Sequence, residues 1–119
     1  MEREPLAYLW DVQYACRNVL DFVREVEFDR YLGDVMLRSA VERQLQNMGE
    51  ALSQLARIDS DLAAQVPEHR SVIAFRNVLV HGYATLDHQV VWHVIGHDLP
   101  ALLATASALL KRTSEAPPE

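Results

Sequence analysis

A chain of 119 residues, half of them hydrophobic and 24% charged, has the composition of one globular domain and excludes a disordered or fibrous one. A net charge of −6 excludes a broad basic surface, so any nucleic acid must be met at a local site. Apolar runs are broken every few residues by Arg, Glu, Gln or His, which excludes a membrane span, and the start MEREPLAYLW lacks the pattern of a secretory signal, so a cytoplasmic protein is expected.

Leu9, Val12, Cys16, Val19, Val23 and Val26 recur three and four apart and predict a first helix over residues 5–26. Cys16 is the only cysteine and falls on this stripe, which marks it as a small buried hydrophobe rather than a nucleophile or half of a disulfide. Phe28 and Asp29 interrupt the pattern, with Asp29 a candidate cap for a short turn that ends at Gly33 and Asp34. Leu37, Val41, Leu45, Met48, Leu52 and Leu55 then predict a long second helix, in which Gly49 costs about 1 kcal/mol relative to Ala.

Residues 58–70 carry an Asp/Ser cluster and Pro67 and predict a connection with one helical turn at its start. A third, shorter helix is expected to open at Ser71, with Val72, Phe75 and Leu79 inward and Gly82 ending it in the left-handed conformation. Thr85 or Asp87 can cap a fourth helix whose inward face is Val91, Ile95, Leu99, Leu102, Ala106 and Leu109. Pro100 predicts a kink or a break there, with a second start at Asp98. The pattern as a whole predicts an all-α, antiparallel four-helix bundle over residues 1–112 with a kinked fourth helix, followed by a disordered tail over 113–119.

The residues able to do chemistry crowd the end of the third helix. Arg76, Asn77, His81 and Tyr83 lie within eight positions, with Asn77 four residues from His81 and Tyr83 presented beyond Gly82. Cleaving an RNA phosphodiester without a metal requires a base for the 2′-hydroxyl, an acid for the leaving oxygen and positive charge on the phosphate. His81 and Arg76 supply two of these, Asn77 can orient the phosphate or the imidazole, and Tyr83 can donate a hydrogen bond or serve as a second acid. One chain offers one such histidine, so a composite cleft between two copies is needed to bring acid and base together.

Two other constellations compete. His93 and His97, with His88 and Asp98 nearby, have a spacing that can place two imidazoles on a metal, but no third ligand is evident and no metal is expected. Trp10 and Trp92 can stack on bases, although single tryptophans at helical spacing are more often core or interface anchors.

The string R-N-V-L-V-H-G-Y at Arg76 to Tyr83 closely resembles the R-x4-H-x-Y motif of HEPN-domain proteins, and the rest of the chain is similar to the HepT-like toxins of HepT/MntA toxin–antitoxin systems. The likeness is carried by Y-L-W-D at Tyr8 to Asp11, A-V-E-R-Q-L-Q-N-M-G-E-A at Ala40 to Ala51, and V-V-W-H-V-I-G-H-D-L-P at Val90 to Pro100. Gln44 departs from the Asn that relatives often carry at that place. The resemblance implies a metal-independent endoribonuclease without cofactor, working as a homodimer or higher homo-oligomer on RNA, with Arg76 and His81 catalytic and with Arg43 and Glu50 bracing the site from the second helix. It also implies a cognate minimal nucleotidyltransferase as antitoxin, which transfers AMP to Tyr83. The same residues leave a second reading open, a non-catalytic module that binds a nucleotide or docks a nucleotidyltransferase.

Overall fold

The computed structural model describes residues 4–115, apart from the side chains of Tyr83 and residues 113–115. Helix α1 (Pro5–Phe22) starts on a proline, whose missing N–H would have had no helical partner in any case. It ends at Phe22 rather than at the expected Val26, because the chain turns through Glu25, whose left-handed backbone (φ 59°) no right-handed helix continues through. An L-residue there stores strain. Replacing Glu25 with Gly is therefore expected to raise stability by about 0.5–1 kcal/mol, read as a higher urea midpoint with an unchanged slope.

Short α2 (Phe28–Gly33) follows, with Glu27 in the cap position and Asp29 inside the first turn, where its charge suits the helix dipole without capping it. Asp34 accepts the Leu37 amide at 3.0 Å and starts α3 (Val35–Ile58), the longest helix. Asp59 does the same for α4 (Ser60–Ala64), the single turn expected in the connection, by accepting the Leu62 amide at 3.1 Å.

Helix α5 (His69–His81) begins two residues before the expected Ser71, because Glu68 adopts a left-handed conformation (φ 59°) that re-aims the chain. Gly82 ends α5 without the left-handed turn predicted for it: its φ is −113°, its N–H donates to the Val78 carbonyl at 2.7 Å, and Thr85 closes a 3-10 turn over Tyr83–Thr85 by bonding back to its carbonyl. What glycine supplies here is room, since a Cβ would stand 3.2 Å from the Val78 oxygen.

Of the two candidate caps for the last helix, Asp87 is the one used, accepting the Gln89 amide at 2.9 Å at the head of α6 (His88–His93). The helix then widens into a π turn over Val94–Asp98 and tightens again as α7 (Leu99–Glu115). Pro100 explains the widening: it has no N–H to donate, and the Leu99 amide reaches back five residues to the Val94 carbonyl instead of four. The helix is widened at the proline rather than broken. Helix α7 runs to Glu115, three residues into the segment expected to form the tail, and residues 116–119 lie outside the described region.

The fold is all-α, with no strand among the described residues. Helix α3 is central: α1 packs along one side of it and α5 along another, while α7 packs on α1. All six inward positions predicted for the last helix are buried, as are Leu9, Val12, Cys16 and Val19 on α1 and Val41 to Leu55 on α3. Tyr31 of α2 is also fully buried, its ring 4.9 Å from that of Trp92, which closes the bundle next to Phe28. Burial, and secondarily the Glu42 carboxylate, pushes the Tyr31 hydroxyl above its usual range. Among the described residues no helix is long and apolar enough to cross a membrane.

Candidate functional site

The position of the site is set by the crossing of α3 and α5. At that crossing stands Gly49, and a Cβ built on it would lie 2.3 Å from the Arg76 Cβ and 2.8 Å from its Cγ. Only a residue without a side chain lets the Arg76 stem pass so close to the α3 backbone. The guanidinium is thereby delivered to the adjacent residue on α3, where its Nη2 meets the Glu50 Oε2 at 2.7 Å.

A second donor fixes the plane of the fork. Arg76 Nη1 donates to the Asn77 Oδ1 at 2.9 Å, so the guanidinium is held from two directions. Glu50 is itself braced, its other oxygen accepting from Gln54 Nε2 at 3.0 Å, and Gln54 accepts in turn from Arg57 at 2.7 Å. The Arg76 and Glu50 side chains are 29% and 46% exposed, so the pair is wet and contributes less than about 1 kcal/mol to stability. Its consequence is orientation. Two contacts leave other N–H groups of the guanidinium unengaged for an anion.

The structure therefore brings Arg76, Asn77 and Glu50 together, with Asn77 on the guanidinium rather than on the imidazole. His81 is not brought against Arg76. Five residues on an ideal helix rotate it about 140° around the axis, and its ring is exposed in the last turn of α5, on the edge that carries Asn77. Arg43 does not join the cluster either: it is exposed and borders a separate shallow cavity of 390 Å³ with Gln46, Leu79 and Val80. The Tyr83 backbone lies in the 3-10 turn directly after Gly82, while its side chain is outside the described region.

Gly49 and Gln54 were missed as site residues. Gln54 carried a signal, its four-residue spacing from Glu50 on a helix, whereas the role of Gly49 depends on which residue of another helix it meets. The two histidines weighed as metal ligands, His93 and His97, stack ring on ring at 5.0 Å, and His97 Nδ1 contacts the Asp98 carboxylate at 2.8 Å. No group of three or more candidate ligands forms among the described residues. Cys16 is buried with its thiol against the Met48 sulfur at 3.4 Å, and burial pushes its pKa up to about 12, leaving no thiolate for chemistry.

With this geometry in place, comparison with known proteins gives it a context. Residues 12–109 match the family described as "Ribonuclease HepT-like". A Thermococcus cleftensis protein named "Probable ribonuclease HepT" is 31% identical over 111 residues, which cover 93% of this chain and 100% of that one. A Methanocaldococcus jannaschii protein named "Putative RNase MJ1380" is 26% identical over 103 residues, 85% of this chain and 92% of the relative. No solved structure matches the chain. Since the family match and the relatives extend over nearly the whole bundle, including both helices that hold the Arg76 cluster, the chain belongs to the HepT-like ribonuclease family.

Proposed function

We propose that this protein is a metal-independent endoribonuclease that cuts RNA as a homodimer and is the toxin of a toxin–antitoxin pair. The observation that carries the reading is Arg76, held by Glu50 at 2.7 Å and by Asn77 at 2.9 Å near a helix end that also exposes His81, in a chain of a ribonuclease family. One copy carries a single His81 at this helix end, so it does not supply an acid and a base together. A second copy packed against the same edge of α5 supplies the missing histidine.

The chemistry then follows from the groups present. One His81 takes the proton of the 2′-hydroxyl, the resulting oxygen attacks phosphorus, and the bond to the 5′-oxygen breaks to leave a 2′,3′-cyclic phosphate. The same histidine of the second copy, protonated, gives its proton to the departing oxygen. Arg76 neutralises the charge that builds on the phosphoryl oxygens, with Glu50 and Asn77 keeping its plane fixed. Neutralisation falls to a minimal nucleotidyltransferase that transfers AMP to the Tyr83 hydroxyl, adding an anionic, bulky group just beyond the end of α5 that blocks the cleft.

In the test, purified protein cuts RNA in the presence of EDTA and leaves 2′,3′-cyclic ends, and it sediments as a dimer at the concentration that cuts. Cleavage that stops with EDTA, or that persists in a monomer, contradicts the proposal. With ATP and the partner transferase, intact-mass analysis gains one AMP in the native protein and none in Tyr83→Phe.

A further inference from the structure

On the flank of α3 that faces α1, a second feature adjoins that chemistry. Trp10 and Tyr14, one turn apart on α1, are 52% and 53% exposed, and their rings stack at 5.1 Å with an interplanar angle of 10°. They border a cavity of 410 Å³ between α1 and α3, within the range of about 300–1,000 Å³ common for small-molecule sites. Buried Ala15 and Ala51 keep it open, and its polar lining includes Asn47, Gln54 and Glu50. Glu50 is thus shared: it lines this cavity and its Oε2 holds Arg76.

We propose that this cavity receives a base of the RNA strand whose phosphate meets Arg76, an inference that rests on the ribonuclease reading. Parallel exposed aromatic rings offer a stacking face that every base can use. The Asn47 side-chain amide can donate and accept at a base edge, whereas the Asp11 carboxylate in the lining repels a phosphate, so the strand enters base first with its backbone turned toward the arginine. A carboxylate accepts and does not donate. A base with an exocyclic amine suits it, and uracil, whose one N–H lies between two carbonyls, does not.

A second copy of the chain fits this face less well. A two-fold contact would set the acidic lining against itself in a protein of net charge −6, and charged residues are depleted at the centres of protein interfaces.

The experiment uses deoxyadenosine and deoxyuridine tetranucleotides, which lack the 2′-hydroxyl and so bind without being cut. Fluorescein-labelled probes read by anisotropy report affinity for the native protein and for Tyr14→Leu, and Trp92→Phe protein, in which Trp10 is the only tryptophan, reports contact by quenching. Expected are saturable quenching by the adenine probe, about tenfold or more weaker binding of it by Tyr14→Leu, and weaker binding of the uracil probe to the native protein. Equal affinities for native and Tyr14→Leu proteins, or for the two probes, overturn the base site. Dissociation of the dimer by Tyr14→Leu also overturns it and assigns the face to a second copy. Base binding without RNA cleavage would remove the ribonuclease reading alone, and cleavage without base binding would remove this site alone.

Discussion

Arg76→Ala is expected to lower RNA cleavage by about 10²–10³ and His81→Ala by about 10²–10⁴, the ranges for losing a transition-state charge contact and a general acid–base group. Neither loss traces to unfolding. The Arg76–Glu50 pair is too exposed to contribute more than about 1 kcal/mol, and His81 projects into solvent from the last turn of α5, so thermal melts of both variants stay near that of the native protein. Arg76→Lys separates charge from shape: an ammonium keeps the positive charge but cannot hold Glu50, Asn77 and a phosphate with one planar fork, so most of the deficit remains. Glu50→Gln keeps a hydrogen-bond acceptor beside Arg76 and is expected to cost less than removing the arginine. Cleavage by Arg76→Ala and His81→Ala at the native rate would send the active site elsewhere on the bundle.

The second large effect is expected at a residue that touches no substrate. Gly49→Ala would, on propensity alone, stabilise α3 by about 1 kcal/mol. At the crossing with α5, however, the added methyl meets the Cβ and Cγ of Arg76 at 2.3 and 2.8 Å, with the Val72 carbonyl at 3.4 Å behind them. Those atoms are the stem of a side chain rooted in a helix, not a mobile end, so the helices must move apart. Overpacking of this kind costs about 1–3 kcal/mol, which outweighs the propensity gain. Urea denaturation is therefore expected to show a net loss of stability, and cleavage falls as the guanidinium is carried away from Glu50. A net gain in stability would mean that the two helices do not approach this closely.

Gly49 also marks where the sequence stops being informative. The apolar series on α1, α3 and α6–α7 could be read in one dimension, because inward faces repeat with the helix period whatever they pack against; Val91 to Leu109 are buried at each position that the period predicted. An inter-helix distance has no such signature. The same glycine looked like a local cost and is a requirement of the α3–α5 crossing.

Turn chemistry was legible at Asp87, one of the two caps expected for the last helix, but Asp29 lies inside α2 instead of capping it, and Asp34, read only as the end of a turn, caps α3. It was misleading where the backbone sets the turn. Left-handed conformations fall on Glu25 and Glu68, not on Gly82, so α1 ends earlier and α5 begins earlier than composition suggests. Tyr31 escaped notice because a six-residue helix is too short to display a period, although its ring is among the largest in the core. At the site, the spacing of Arg76, Asn77 and His81 was visible, and the bracing of Arg76 by Glu50 was anticipated only through the family resemblance. The rotation that separates His81 from Arg76 follows from helix geometry applied to residues five apart.

Cys16 is the only thiol of the chain and it is sealed against Met48 in the core. The folded surface is consequently blank to maleimides and to oxidants that join thiols. A cysteine introduced at Val78, exposed on α5 one turn before the helix ends, would be the one reactive sulfur available, so a covalent link between two chains could be assigned to that helix edge without a cysteine-free background having to be built first.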